Sequence, residues 1–211
     1  MPEKLALMYK KLYASFGPQH WWPGETPFEV AVGAILTQNT NWSNVEKAIA
    51  NLKKDKGLNP RALHDMSHDR LASLLRPAGY FNIKAKRLKN FISFLITEYQ
   101  GSMSRMAKED LRSIRKKLLA VNGIGPETAD SIILYALEKP VFVIDAYTKR
   151  VLSRHNILEH DASYDAFQSL FHSKLRENIR LFNEYHALFV RLAKENCRTK
   201  PLCRGCPLEG M

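Results

Sequence analysis

In VNGIGPETADSIILYALEKPVFVID, Val121–Asp145, two chemical signals stand close together, with Asp145 following Gly125 by 20 residues. Gly123 and Gly125 permit positive φ and leave backbone N–H groups uncovered. Pro126 occupies the place of a first helical residue, its φ already set and no N–H to lose. A turn of this kind aims amides and the positive end of a helix dipole at an anion, and phosphate is the obvious candidate. A glycine-capped corner between two helices would show the same residues and bind nothing. Asp145 weighs against that simpler account, because it ends the apolar run VFVI and precedes the basic segment AYTKR. Asp also suits a helix N-cap, and one carboxylate can fill both roles.

Outward from this stretch the periodicity is helical. Leu5, Met8, Tyr9, Leu12 and Phe16 form one stripe, and Phe28, Ala31, Val32, Ile35 and Leu36 form another. Leu88, Phe91, Ile92, Leu95, Ile96 and Tyr99 repeat the spacing up to a stop at Gly101, and Tyr185, Leu188, Phe189 and Leu192 mark a late helix. Two-residue alternation is not sustained, and Val141–Ile144 is too short to argue for a sheet. The predicted class is all-α, with joints at Pro18, Pro23 and Pro27, Gly57 and Pro60, Pro77 and Gly79, and Pro140.

The 211 residues are 45% apolar, enough for a substantial core. Lys and Arg number 32 against 21 Asp and Glu, a net charge of +11. The bases recur in three clusters: Lys84, Lys86, Arg87 and Lys89; Arg112, Arg115, Lys116 and Lys117; Lys149, Arg150 and Arg154. That distribution suits a polyanion, nucleic acid rather than membrane. No apolar run is long enough to span a bilayer, and the N-terminus lacks the pattern of a secretory signal. An intracellular protein of cytoplasm or nucleoid is expected.

The segments HWWPGETPFEVAVGAILTQNTNW (His20–Trp42), RPAGYFNIKAKRL (Arg76–Leu88), GIGPETAD (Gly123–Asp130) and VIDAYTKR (Val143–Arg150) resemble the helix–hairpin–helix DNA glycosylases of the endonuclease III superfamily. Within it they are most similar to the 3-methyladenine DNA glycosylase III branch. The resemblance implies two helical lobes with a DNA-binding cleft between them. One is a six-helix lobe over 28–137. The other joins the N-terminal helix, 1–27, to 138–211. The implied partner is double-stranded DNA containing damaged bases, bound by a monomer that needs no nucleotide cofactor. Asn122, Gly123, Ile124, Gly125 and Thr128 would form the DNA-binding hairpin, and Asp145 would be the catalytic carboxylate.

Breaking a base–sugar bond leaves an oxocarbenium-like sugar, which a carboxylate can stabilise while it directs water at the anomeric carbon. Relatives that also nick the backbone carry Lys before the position of Thr128, as the amine of a Schiff base. Here it is Glu127, which implies a monofunctional enzyme. Trp21, Trp22 and Trp42, with Pro23, match the segment flanking the base pocket, and N-alkylated purines are cations that stack well on electron-rich rings. Core packing is the other use of Trp. Gln38 and Asn39 match the wedge that fills the gap left by a flipped base; capping by Asn41 or Ser43 also explains this polar cluster.

Cys197, Cys203 and Cys206 match, with one residue fewer after Cys197, the ligands of a 4Fe–4S cluster in many endonuclease III relatives. The resemblance places a fourth Cys after five more residues, and the sequence ends at Met211. The expected activity is removal of alkylated purines such as 3-methyladenine. The rivals are an endonuclease III-type glycosylase and lyase for oxidised pyrimidines, and a non-catalytic damaged-DNA scaffold.

Overall fold

The structure, a computed structural model, describes residues 2–21, 24–55 and 57–211. Those residues are helical, with no strand among them. In chain order the helices are α1 (Pro2–Phe16), α2 (Pro27–Leu36), α3 (Trp42–Lys54), α4 (Pro60–Asp65), α5 (His68–Leu74), α6 (Phe81–Tyr99), α7 (Met103–Met106), α8 (Leu111–Leu119), α9 (Pro126–Ser131), α10 (Ala146–Arg154), α11 (Tyr164–Lys174) and α12 (Ile179–Glu195). A 3-10 turn, Arg76–Ala78, precedes α6, and α9 runs on into a π-helical turn, Ile132–Ala136. The chain divides into a terminal unit, Met1–Trp21 with Pro140–Met211, and a central unit, Trp22–Lys139.

Helix starts follow local chemistry. Pro27, Pro60 and Pro126 all sit in the first turn of their helices, where the missing N–H costs nothing. Side chains of Thr26, Asn41, Asn59, Ser67, Asp110 and Ser163 accept from first-turn amides. At the other end of α6 the chain reverses through Gln100 (φ 56°) and Gly101 (φ 77°), so the stop comes one residue before the glycine.

In the central unit α2 is buried over Phe28–Leu36, including Glu29, so it is a core helix and not a half-exposed stripe. The terminal unit is built on α12, which buries Phe182, Tyr185, Leu188, Phe189 and Leu192. The Tyr185 hydroxyl donates to the Leu5 carbonyl at 2.8 Å, tying α12 to α1 across the length of the sequence. Val141–Ile144 is buried and extended with no sheet to pair with. One face of α11 replaces the missing strand. Tyr164 Oη accepts from the Ile144 amide (3.3 Å), Gln168 Nε2 donates to the Phe142 carbonyl (2.8 Å), and His172 Nε2 accepts from the Phe142 amide (3.2 Å). These three side chains recur every four residues, so they line one face of the helix. Phe142 then stacks flat on Phe171, ring centroids 3.6 Å apart. This fixes the backbone that delivers Asp145.

Candidate active site

The hairpin of the central unit is a tight link between α8 and α9. The Val121 amide donates to Leu118 O and the Ile124 amide to Val121 O, each at 3.0 Å. Gly123 has φ 94°, whereas Gly125 is extended at φ −90°, so only the first glycine uses the left-handed region. A Cβ on Gly123 would lie 2.3 Å from Arg87 Cγ, which adds a packing reason for glycine there. Around Gly125 a Cβ would meet nothing within 4 Å, so this side of the turn is open. Among the described residues no acceptor takes the Gly123 or Gly125 amide. Open amides at a helix start are the anion-binding arrangement.

Three side chains brace this hairpin. Gln38 Nε2 donates to Gly123 O (3.2 Å) and Thr128 Oγ1 (2.9 Å), while Arg87 Nη1 donates to Gln38 Oε1. Asn90 Nδ2 donates to Asn122 O (3.0 Å). Arg115 on α8 holds Asp130 on α9 in a two-pronged pair, Nε to Oδ1 at 2.8 Å and Nη2 to Oδ2 at 3.1 Å, and Asp130 is fully buried. Gln38 therefore has its amide committed to the hairpin. Asn39 beside it is exposed and left-handed (φ 54°), and Asn41 caps α3 by accepting from the Asn44 amide at 3.1 Å.

Trp42 opens α3 and lines a cavity of about 490 Å³ together with Glu25, Glu29, Glu46, Ile49 and Lys53. Lys53 Nζ bridges Glu25 (2.9 Å) and the buried Glu29 (3.0 Å), and hydrogen bonds to these two carboxylates raise its pKa. Three carboxylates against one ammonium make this wall acidic in a basic protein. In the terminal unit Trp21 is half-buried. Trp22 and Pro23 lie outside the described residues.

Asp145 ends the extended run and caps α10: its Oδ1 accepts from the Thr148 amide at 2.7 Å. The side chain is 13% exposed. Its Oδ2 lies 3.5 Å from Nε2 of His186, a buried residue of α12. Burial pushes the carboxyl pKa up, but the charge and hydrogen bonding of His186 and the Thr148 amide outweigh it, and the group ends below its usual range. A carboxylate kept ionised while nearly dry can stabilise a developing sugar cation far better than one in water. The sequence reading missed His186. Its signal is faint: one polar position on the otherwise apolar face of α12.

Most of the basic clusters are spent on internal partners. Lys84 is buried and donates to Ala78 O (2.6 Å), and Lys89 donates to His64 O (2.7 Å). Lys117 pairs with Glu109 (2.6 Å), and Lys149 donates to Ala162 O (2.9 Å). Arg150 donates to Cys197 O (2.8 Å) and Arg154 to Thr199 O (3.0 Å). The distribution suited to a polyanion therefore leaves fewer uncommitted charges than the count of bases suggests. Only Lys86, Arg112 and Lys116 of that set are exposed and make no side-chain hydrogen bond among the described residues.

Cys197 is buried, Cys206 half-buried and Cys203 exposed. Burial raises the Cys206 thiol, a hydrogen bond from Leu208 offsets part of this, and the charges of Cys197 and Cys203 add to the rise. Cys197 and Cys203 are thus each within electrostatic range of Cys206. Arg154 Nη1 stands 3.3 Å from Cys197 Sγ. Among the described residues no three His, Cys, Asp or Glu side chains converge to hold a metal ion. The donors fit a thiolate-bound cluster in kind and fall one short in number.

An all-helical fold with a braced hairpin of open amides and a capped, ionised carboxylate after the next helix defines a class of DNA-repair protein. The family model described as "HhH-GPD superfamily base excision DNA repair protein" matches residues 32–177, and the chain belongs to that superfamily as a DNA glycosylase. A Methanocaldococcus jannaschii protein described as a DNA repair glycosylase is 47% identical over 209 residues, covering 98% of this chain and 94% of the relative. Endonuclease III of Sulfolobus acidocaldarius is 26% identical over 85% of this chain and 78% of its own. Among solved structures, Helicobacter pylori 3-methyladenine DNA glycosylase bound to 1,N6-ethenoadenine has a TM-score of 0.77 at 31% identity, covering 92% of this chain and 97% of that one. An endonuclease III–DNA complex shares the fold, with a TM-score of 0.84 at 20% identity. Among the described residues no helix is long and apolar enough to cross a membrane.

Proposed function

We propose that this chain is a monofunctional glycosylase that excises alkylated purines, 3-methyladenine above all, from double-stranded DNA. The observation that carries the specificity is the cavity at Trp42, where an indole stands beside Glu25, Glu29 and Glu46. An N-alkylated purine nucleoside carries positive charge, which both the ring face and the carboxylates favour. The likeness to the Helicobacter pylori enzyme supports the same substrate class. Its cationic leaving group departs without an added proton, so a site with one carboxylate suffices. Asp145 stabilises the oxocarbenium and directs water; Trp21, Trp22, Pro23 and Trp42 hold the base. The Asn122–Gly125 turn with Thr128 holds the backbone, and Asn39 enters the stack while Gln38 steadies the hairpin.

Glu127, exposed in the first turn of α9, supports hydrolysis without strand cleavage, since a carboxylate forms no imine. Cys197, Cys203 and Cys206 are proposed as structural ligands of an iron–sulfur cluster, which iron and sulfide assays of the purified protein test. For the activity, the test is base release from duplex DNA containing methylated purines, before and after alkali. Free 3-methyladenine, with strand breaks only after alkali, is expected. Direct nicking at oxidised pyrimidines with no methylpurine release would replace this reading by that of an endonuclease III-type lyase.

A further inference from the structure

His186 has no place in the sequence argument, yet its ring lies beside the second carboxylate oxygen of Asp145. Thr148 takes Oδ1 at 2.7 Å, which leaves Oδ2, and His186 Nε2 stands 3.5 Å from it. Both side chains are nearly dry, His186 with 6% and Asp145 with 13% of the side chain exposed. A carboxylate in such surroundings tends to take up a proton, and a neutral acid neither stabilises an oxocarbenium ion nor directs water at it. Something in the fold must hold the charge.

Several other titratable and charged groups of the surrounding helices are engaged elsewhere. On α10, Lys149 and Arg150 donate to the carbonyls of Ala162 and Cys197, and the Arg150 guanidinium lies over the Tyr147 ring. On α12, Glu184 accepts from the Gln19 amide, Tyr185 donates to Leu5 O and Arg191 to Phe16 O. On α11, Tyr164 and His172 meet the Ile144 and Phe142 amides. On α1, Lys4 donates to His155 O and Tyr9 packs against Tyr185.

We propose that His186 is a positioning residue of the glycosylase: it fixes Oδ2 of Asp145 and keeps that carboxylate ionised in its buried setting. The inference rests on Asp145 being the catalytic carboxylate. Imidazole suits the task because it gains charge as pH falls, when a buried carboxylate would otherwise be lost. Without His186 the effect of burial is opposed by Thr148 alone, and Asp145 protonates at higher pH.

The test is single-turnover release of 3-methyladenine by wild type, His186→Gln, His186→Asn and Asp145→Asn between pH 5.5 and 8.5, with duplex affinity measured in parallel. The His186 variants should bind DNA as wild type does, fall about tenfold or more behind it at pH 6, and close most of that gap at pH 8.5. A deficit equal at every pH, or none at all, overturns the proposal, because a purely structural side chain would not move the acid limb. Asp145→Asn separates the two readings: if it releases base normally, the catalytic assignment of Asp145 fails together with the pair. Should the His186 variants fail to fold, the wild-type imidazole can be followed by ¹⁵N NMR. Its Nε2 resonance should shift in Asp145→Asn at a fixed pH, because the carboxylate 3.5 Å away is gone, and an unmoved resonance overturns the pairing.

Discussion

Lys84 shows how far one side chain can depart from what its type suggests. It lies in a basic run, yet it is 1% exposed and spends its ammonium on the Ala78 carbonyl, closing the turn before α6. Burial, and then the Arg87 charge, pull its pKa down to about 8. The unfolded chain keeps the proton to about pH 10.5, so between these values the unfolded state binds more protons than the folded one. Stability contributed at this residue therefore rises as pH climbs from about 8 to about 10.5. Unfolding free energies of wild type and Lys84→Met, compared by denaturant titration, should diverge by about 1–2 kcal/mol in favour of wild type between pH 7 and pH 9.5. A constant difference across that range would show that Lys84 stays charged. The capping place of Asp145 was legible in sequence because its signal is local: an apolar run, one acid, then a basic helix. His186 was not, since only the fold brings α12 beside the start of α10.

At the scale of the element, the hairpin is the informative case. Its turn was readable from Gly123, Gly125 and Pro126, because backbone conformation there depends on residues in sequence. Its braces were not. Gln38, Arg87 and Asn90 come from α6 and the link before α3, and sequence likeness made Gln38 a wedge when its amide is tied to Gly123 and Thr128. Arg115 stood in a basic cluster suited to a polyanion, although it holds Asp130 inside the α8–α9 corner. Taking away the guanidinium leaves a fully buried carboxylate short of its main partner. Arg115→Met should cost about 3–5 kcal/mol in unfolding free energy. Asp130→Asn, which removes the buried charge itself, should cost less. If the two variants were equally mild, the pair would be a surface contact and the corner would be held by packing alone. The run Val141–Ile144 teaches the same lesson in reverse. Two-residue alternation was too short to specify a strand, and the side chains that satisfy it are spaced four apart on α11.

For the whole molecule, net charge and available charge differ. A formal +11 suggests a strongly salt-sensitive DNA binder. Of the bases in the three clusters, however, most hold carbonyls or carboxylates of the chain itself and lend the fold rigidity instead of meeting phosphate. Lys86 on α6 and Arg112 and Lys116 on α8 are the exposed remainder, in the unit that carries the hairpin. Each phosphate neutralised adds about 0.9 to the slope of log affinity against log salt. Replacing these three residues by Gln should therefore reduce that slope by about 2–3, weaken binding similarly on damaged and undamaged duplexes, and leave thermal stability unchanged. Replacing Lys149, Arg150 and Arg154 instead should lower the melting temperature, because Ala162, Cys197 and Thr199 lose donors to their carbonyls. Filter binding across a salt series, with melting curves for both triple variants, checks the division. An unchanged slope in the first variant would move the electrostatic footprint onto the open hairpin amides, whose partial charges no side-chain substitution removes.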